Sequence, residues 1–310
     1  MALIKPFLQL IRWPNLAFIV LTQVLFEFCI YRQIYDGAVP LHNSFQFGML
    51  VLASVLIAAA GYIINDYFDI NIDLVNKPDK MILTRKISRR WALVWHLSLS
   101  IAGIICTAIA VNFFSRWYLV IANLICVVLL WFYSARFKKD PLIGNVIVSL
   151  LTAWTILIIF LSKYSLANAF GNIDEGQVRL FRFTILYAGF AFVISLIREA
   201  IKDIEDMPGD EKFGCKTMPI AWGINATRIY IIIWLTILFA VLMIIQFYVL
   251  QFRWWWAVVY GITFIVVPLA LMFGQLLKAQ NTQDYHRLSN QAKTVMLTGI
   301  LSMLLFYVYL

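Results

Sequence analysis

Two short acidic segments with the same residue spacing are the parts of this sequence best suited to chemistry. Each contains an aspartate triad spaced i, i+3, i+7: Asp66, Asp69 and Asp73 in the first triad, and Asp203, Asp206 and Asp210 in the second. At about 3.6 residues per helical turn, the three positions of a triad lie on one face of a helix. Both triads follow long apolar runs, so two matching carboxylate faces are expected at similar membrane depth.

Carboxylates at this spacing need a positive partner, and oxygen ligands favour a hard metal ion. Like charges one turn apart repel each other, and the C-terminal end of a helix is unfavourable for an anion. Neither triad is interleaved with histidine or cysteine, which points to Mg²⁺. Mg²⁺ is typically bound by one or two carboxylates together with substrate phosphates. The sequence therefore predicts that the six aspartates bind Mg²⁺ and, through it, a diphosphate; the alternative is that they are solvated loop acids balanced by lysines.

The elements that must position the triads are membrane helices. Of the 310 residues, 63% are hydrophobic and 13% are charged, whereas soluble domains have about 45–50% apolar and about 25% charged residues. A bilayer core about 30 Å thick requires roughly 20 apolar residues per helix. Nine runs meet this length: about 14–32, 46–66, 91–111, 117–134, 143–163, 180–199, 229–250, 254–274 and 292–310. We therefore predict an all-α, polytopic membrane protein, one bundle over residues 1–310 built from two related halves.

The basic residues predict which side of the membrane carries the triads. With a cytoplasmic N-terminus, nineteen of the 25 Lys and Arg residues fall on the cytoplasmic side and six on the other, as the positive-inside rule requires. Both triads then lie at the cytoplasmic side, where we expect the active site. In a prokaryote this would be a multi-pass protein of the cell membrane. Contact with anionic membrane lipids explains the net charge of +9, so no nucleic-acid partner is expected.

Polar residues near the triads are candidates for binding the diphosphate. Asn65 precedes the first triad and can coordinate through its carbonyl or donate a hydrogen bond. Groups that neutralise a departing diphosphate lower the barrier to breaking its C–O bond. The candidates for this role are Asn76, Lys80, Arg85, Tyr133, Lys138, Arg198 and Lys202. Any single basic residue among them also fits an ordinary positive-inside charge.

The residues around the triads resemble a known family. Residues 65–73 (NDYFDINID), followed by 76–78 (NKP), look like the first aspartate-rich motif of the UbiA superfamily of intramembrane prenyltransferases, and residues 202–210 (KDIEDMPGD) look like the second. Tyr133-Ser134 with Lys138 and Gly144-Asn145 resembles the family's loop between the fourth and fifth helices. The motif regions span 61–90 and 198–219.

One position departs from the family pattern. Lys80-Met81 stands where the family usually has Arg-Pro. Lysine keeps the charge but loses the bidentate geometry of arginine. Arg85 is a candidate substitute.

The resemblance implies a reaction. A prenyl diphosphate binds through Mg²⁺ to both motifs, its allylic C–O bond ionises, and an acceptor captures the carbocation. Asn65 and the six aspartates match the family's catalytic positions, and Lys138 matches a diphosphate-contacting lysine. Aromatic faces can stabilise the cation, and four aromatic residues near the motifs are candidates for this role: Tyr62, Tyr67, Phe68 and Tyr133.

The acceptor is predicted from residues 198–210 and the following Lys216-Thr217-Met218-Pro219. These residues look most like the digeranylgeranylglyceryl phosphate synthase branch, which implies transfer of a geranylgeranyl group to the free hydroxyl of geranylgeranylglyceryl phosphate. An aromatic acceptor of quinone biosynthesis, such as homogentisate, 4-hydroxybenzoate or dihydroxynaphthoate, is the alternative. Glu199 is a candidate base, but its position beside Arg198 and Lys202 favours a salt bridge.

An ion-coupled transporter is an alternative of another class, because it also combines two related halves with acidic residues in the membrane. Transporters usually have broken helices with acids inside the spans. Here the acids lie at one membrane face and the eight prolines are mostly in loops. The sequence therefore favours an enzyme.

Overall fold

The computed structural model describes residues 4–35, 41–76, 83, 87–111, 113–164 and 174–309. These residues are almost entirely helical and contain no β-strand. They form nine spans that are long and apolar enough to cross a membrane, which confirms the nine predicted helices. The spans, in chain order, are Trp13–Ile34, Ser44–Val75, Arg89–Ala110, Arg116–Ala135, Ile143–Lys163, Glu175–Lys212, Ile224–Leu250, Trp255–Lys278 and Thr282–Tyr309.

Three spans are composite, and short helices connect others. The first span joins Trp13–Leu25, a π-helical turn at Phe26–Tyr31, and Arg32–Ile34; the eighth joins Trp255–Gly261, a π-helical turn at Ile262–Val266, and Val267–Lys278; the ninth joins Thr282–Leu301 and Met303–Tyr309. Three short helices lie outside the spans: Ile4–Leu10, the 3₁₀ turn Phe137–Lys139, and Met218–Ala221.

The second and sixth spans continue well beyond their predicted ends. Their apolar runs were predicted to end near residues 66 and 199, whereas the helices run over Leu41–Asn76 and Glu175–Lys212. Pro208 lies inside the last turns of the sixth span, where the missing N–H removes only one backbone hydrogen bond near the helix end. Both triads therefore lie on regular helices, so each triad does present one face.

A glycine ends the sixth span directly after its triad. Gly214 has a φ of 71°, in the left-handed region that favours glycine. The N–H of Cys215 donates to the carbonyl of Asp210 at 3.0 Å, and the N–H of Gly214 donates to Glu211 at 3.1 Å. This pair of bonds is a Schellman motif. It fixes the helix end at Lys212, two residues beyond the last aspartate.

The core lies between spans, and the outside is apolar. One apolar cluster joins the sixth, seventh, eighth and ninth spans and contains the fully buried Ile201 and Ala292. A second joins the first, fifth and sixth spans with others and contains the fully buried Phe26. Large side chains such as Ile244 and Phe247 are exposed. In a membrane protein such positions face lipid.

A buried ion pair joins the first and fifth spans. The Glu27 side chain is completely buried, and its Oε1 lies 3.0 Å from Lys163 Nζ and 3.8 Å from Arg32 Nε. The same ammonium lies 4.2 Å from the ring centre of Tyr31. Removing one partner of a buried pair leaves an uncompensated charge, which costs about 3–5 kcal/mol.

We therefore expect Glu27→Gln to lower the melting temperature of the detergent-purified protein markedly. Thermal unfolding followed by circular dichroism measures this. Glu175→Gln is the matched control, because Glu175 is nearly fully exposed and pairs with Arg179 only at 3.8 Å. Exposed pairs contribute little. Equal melting temperatures for the two variants would contradict a structural role for Glu27.

Candidate active site

A cavity of about 1050 Å³ lies among the spans and is lined by both triads. Small-molecule pockets usually have about 300–1,000 Å³, so this cavity has room for a large ligand. All six aspartates and Asn65 line it: Asp66, Asp69 and Asp73 from the second span, and Asp203, Asp206 and Asp210 from the sixth. The prediction that the two carboxylate faces meet at one site is thus correct in its geometry.

The cavity extends from the aspartates towards the middle of the membrane spans. Phe190, on the sixth span, also lines it. It precedes Asp203 by thirteen residues, which is about 20 Å along a helix. Most side chains in this inner part are apolar, among them Ile57, Leu151 and Ile194. The site therefore combines a charged end with a long, mainly apolar chamber.

A helix break places Arg12 at the first triad. Pro14 cannot donate a backbone hydrogen bond, and its ring clashes with the carbonyl four residues before it. The helix Ile4–Leu10 accordingly ends, and Arg12 adopts left-handed angles (φ 51°, ψ 53°) before the first span begins. Its Nη2 donates to Asp66 Oδ1 at 2.7 Å, and its guanidinium lies 5.3 Å from the ring centre of Tyr62.

From the sequence alone, Arg12 is one of the nineteen basic residues predicted on the cytoplasmic side, and in the structure it lines the site. The sequence Arg12-Trp13-Pro14 carries a signal for this position, because a proline two residues after the arginine predicts a helix break beside it.

Lys138 binds the central aspartate of the first triad. Its ammonium donates to Asp69 Oδ1, while Asn65 Nδ2 donates to Asp69 Oδ2 at 2.8 Å. Burial lowers the pKa of Lys138, and the charge of Asp69 opposes that shift without cancelling it. Lys138 therefore provides a cation at the predicted diphosphate site.

The loop that carries Lys138 is held by close backbone contacts. A Cβ at Gly144 would lie 2.9 Å from both the Phe137 carbonyl oxygen and the Lys138 Cα, so only glycine fits there without a shift. The Lys216 N–H donates to the Lys139 carbonyl at 2.7 Å. These contacts join the loop to the start of the fifth span and to the segment after the second triad.

The second triad has a different set of neighbours. Asn145 Nδ2 donates to Asp203 Oδ2 at 2.8 Å. One turn earlier, Glu199 accepts from Arg198 Nη1 at 2.7 Å and from Lys202 Nζ at 3.4 Å. The geometry agrees with a salt-bridge role for Glu199.

The remaining predicted residues have mixed outcomes. Tyr133, Arg198 and Lys202 line the cavity. Lys80 and Arg85 lie outside the described residues, and of Asn76 only the backbone, at the end of its helix, is described. Their proposed contacts with a diphosphate stay predictions.

Two of the four candidate aromatic residues lie at the site; their role towards a carbocation stays a prediction. Tyr62 and Tyr133 line the cavity. Tyr67 instead packs against a separate apolar cluster. Phe68 makes an edge-to-face contact with Trp131, and the two ring centres lie 5.7 Å apart. Neighbours in a helical sequence point in different directions, so nearness to the motif did not suffice. The other aromatic lining residues come from distant segments: Trp13, Phe18, Trp154, Tyr187 and Phe190.

The oxygen atoms of this site fit Mg²⁺ only if a bound ligand completes the coordination shell of the metal. Within the described ranges, no three acidic, histidine or cysteine side chains are close enough to hold a metal ion. Asp66 and Asp69 are instead paired with Arg12 and Lys138. The available oxygens are those of carboxylates and of the Asn65 amide, which suit Mg²⁺ that completes its shell with phosphate oxygens.

The fold and the site define a polytopic membrane protein with a charged, carboxylate-rich end to an apolar chamber. The model of the UbiA prenyltransferase family matches residues 36–308. The chain belongs to that family and is a prenyltransferase. Its membership favours the enzyme over the transporter considered from the sequence.

Several curated relatives bear the name digeranylgeranylglyceryl phosphate synthase. The protein of that name from Methanospirillum hungatei is 30% identical over 276 residues, which cover 88% of each chain. The one from Methanopyrus kandleri is 35% identical over 219 residues, covering 71% of this chain and 70% of the relative.

Solved structures share the fold. A structure described as a digeranylgeranylglyceryl phosphate synthase in membranes has a TM-score of 0.65 at 23% identity, with all of both chains covered. A UbiA homolog from Archaeoglobus fulgidus bound to GPP and Mg²⁺ has a TM-score of 0.58 at 16% identity, covering 96% of this chain and 99% of that one.

Proposed function

We propose that this prenyltransferase transfers a geranylgeranyl group from its diphosphate to the free hydroxyl of geranylgeranylglyceryl phosphate, releasing diphosphate and forming an ether lipid. The observation that carries the proposal is the shared cavity, which joins both aspartate triads to an apolar chamber. The names of the curated relatives support the acceptor. The complex of a relative with GPP and Mg²⁺ supports the donor and the metal.

In this proposal the charged end of the cavity binds the diphosphate. Mg²⁺, held by aspartates of both triads, would supply positive charge to the diphosphate oxygens. Lys138 adds a cation of the chain itself and neutralises the leaving group as the allylic C–O bond breaks. Because Arg12 pairs with Asp66, it neutralises that carboxylate before the ligand arrives.

The apolar chamber holds the prenyl chain and protects the carbocation. Burial of each CH₂ group contributes about 0.8 kcal/mol of favourable free energy. Burial of the prenyl chain in the chamber therefore stabilises the complex. Exclusion of water prevents hydrolysis of the cation. Tyr62 and Tyr133, which line the cavity beside the triads, are the candidates to stabilise it. The acceptor oxygen then forms the new C–O bond, and its proton passes to the released diphosphate.

The orientation and surroundings of the protein are part of the same proposal. The nineteen-to-six distribution of basic residues supports a cytoplasmic N-terminus and a site on the cytoplasmic side. Donor and acceptor both carry long apolar chains, so both would reach the chamber from the membrane.

An acceptor panel tests the proposal. Detergent-purified protein is incubated with geranylgeranyl diphosphate, Mg²⁺ and one of three acceptors: geranylgeranylglyceryl phosphate, homogentisate or 4-hydroxybenzoate. Mass spectrometry should detect product with the glyceryl phosphate, and chelation of the metal should abolish it. Product with an aromatic acceptor alone would overturn the proposed acceptor, and undiminished turnover in excess chelator would overturn the metal.

A further inference from the structure

The sixth span carries two charged stripes that face different parts of the cavity. At 100° per residue, the acidic stripe of the second triad lies about a quarter turn from a basic stripe formed by Arg198 and Lys202. Asp203, on the acidic stripe, contacts Asn145 at the start of the fifth span. On the other side, Glu205 Oε1 lies 2.7 Å from His286 Nδ1 of the ninth span. The basic stripe therefore lies on the side of the ninth span.

The ninth span adds a third cation to this stripe. His286, Asn290 and Lys293 line the cavity at i, i+4, i+7 spacing, so they share one helix face. The charges of Arg198, Lys202, Arg12 and Glu199 act on Lys293. Among the described residues, the ion pairs found in this region join Arg198 and Lys202 to Glu199 and do not include Lys293.

The three cations have few ion-pair partners. Arg198 and Lys202 share the carboxylate of Glu199. The buried Nε of Arg198 has no hydrogen-bond partner among the described residues. A buried donor without a partner is costly. The cluster therefore offers three cations, two of which share one carboxylate, and an unused donor.

A phosphate monoester matches this set of donors. It carries about −1.5 to −2 charges at pH 7 and three acceptor oxygens. The diphosphate already has the triads and Lys138 at the other side of the sixth span, and two anionic groups repel each other at close range. The two substrates of the proposed reaction therefore need two separate anion sites.

We infer that Arg198, Lys202 and Lys293 bind the phosphate group of the acceptor and so select a phosphorylated acceptor. The inference rests on the proposed function. It replaces the sequence-based expectation that Arg198 and Lys202 bind the donor diphosphate. The free hydroxyl of glyceryl phosphate is only a few bonds from its phosphorus, so a phosphate on this stripe holds the hydroxyl beside the neighbouring acidic stripe.

The test compares two acceptors in the Lys293→Met variant. With geranylgeranylglyceryl phosphate, kcat/KM should fall roughly 10- to 100-fold, the effect of losing one charge-assisted hydrogen bond. With the dephosphorylated acceptor, geranylgeranylglycerol, and for the KM of geranylgeranyl diphosphate, the change should stay below about twofold. Lys293→Arg should retain most of the preference for phosphate. Calorimetric binding of the phosphorylated acceptor without donor measures the same loss in the absence of turnover.

Lys212→Met is the matched control, because Lys212 is exposed near the end of the same sixth span and does not line the cavity. It should behave as the wild type. An equal loss with both acceptors in Lys293→Met, or a raised KM for the donor, would overturn the inference alone. A wild-type enzyme that prenylates only aromatic acceptors would overturn the proposed function as well.

Discussion

Asp203→Asn is expected to lower the rate of geranylgeranyl transfer by at least about 1000-fold without unfolding the protein. Asparagine has nearly the same shape as aspartate, and its carbonyl can still accept the hydrogen bond that Asn145 donates. What is lost is a charged oxygen ligand in the site proposed for Mg²⁺. A bound metal stabilises transition-state charge by several kcal/mol, and each 1.36 kcal/mol is tenfold in rate.

Diphosphate release from geranylgeranyl diphosphate, measured at several Mg²⁺ concentrations, gives the result. Glu211→Gln is the matched control: it is the same carboxylate-to-amide change one residue beyond the triad, at an exposed position outside the cavity lining. Its rate should equal that of the wild type. If Asp203→Asn keeps more than a tenth of the wild-type rate, the second triad does not hold the metal. Asp66→Asn should reproduce the loss from the first triad.

The sequence predicted the architecture because membrane helices have strong local signals. Apolar length identified nine helices, and the i, i+3, i+7 spacing placed each triad on one face. The helix ends were harder to predict. In the second and sixth spans the helix continues after the apolar run. The like charges of the residues there would destabilise an isolated helix. Contacts with Arg12, Lys138 and Asn145 compensate in the folded protein.

Long-range partners were not visible in the sequence. Arg12 and Asp66 are 54 residues apart, and their contact depends on the break before the first span. The aromatic lining shows the same limit, because Trp154 and Phe190 enter the cavity from other spans. Periodicity states which residues share a face of their own helix. It does not state which neighbour that face meets.

Asn145 and Lys293 illustrate two kinds of missed information. Asn145 was noted only for its resemblance to a family loop, yet its side chain supports Asp203. From the sequence, Lys293 is only one of the nineteen basic residues predicted on the cytoplasmic side. Its proposed role depends on how the ninth span packs on the sixth, and the sequence of either helix alone does not predict this packing.

Lys138→Met is expected to lower kcat by about 100-fold or more and to change the KM for the donor less. Removing a single donor that stabilises developing negative charge costs about 10²–10³ in kcat. Lys138 fits this role because it is largely buried at Asp69, inside the cavity lining. Lys139→Met is the control: it changes the adjacent lysine, whose backbone joins the loop to Lys216 but whose side chain does not line the cavity.

The pH dependence separates a chemical role of Lys138 from a structural one. Burial lowers the pKa of its ammonium, so the side chain loses its proton at a lower pH than an ordinary lysine, whose pKa is about 10.4. The wild-type rate should therefore fall on the alkaline side before free lysine would titrate. Lys138→Arg keeps a cation that does not deprotonate in proteins, so its activity should persist to higher pH, even if its maximum is lower. Identical alkaline limbs in the two enzymes would mean that Lys138 positions Asp69 without supplying charge to the leaving group.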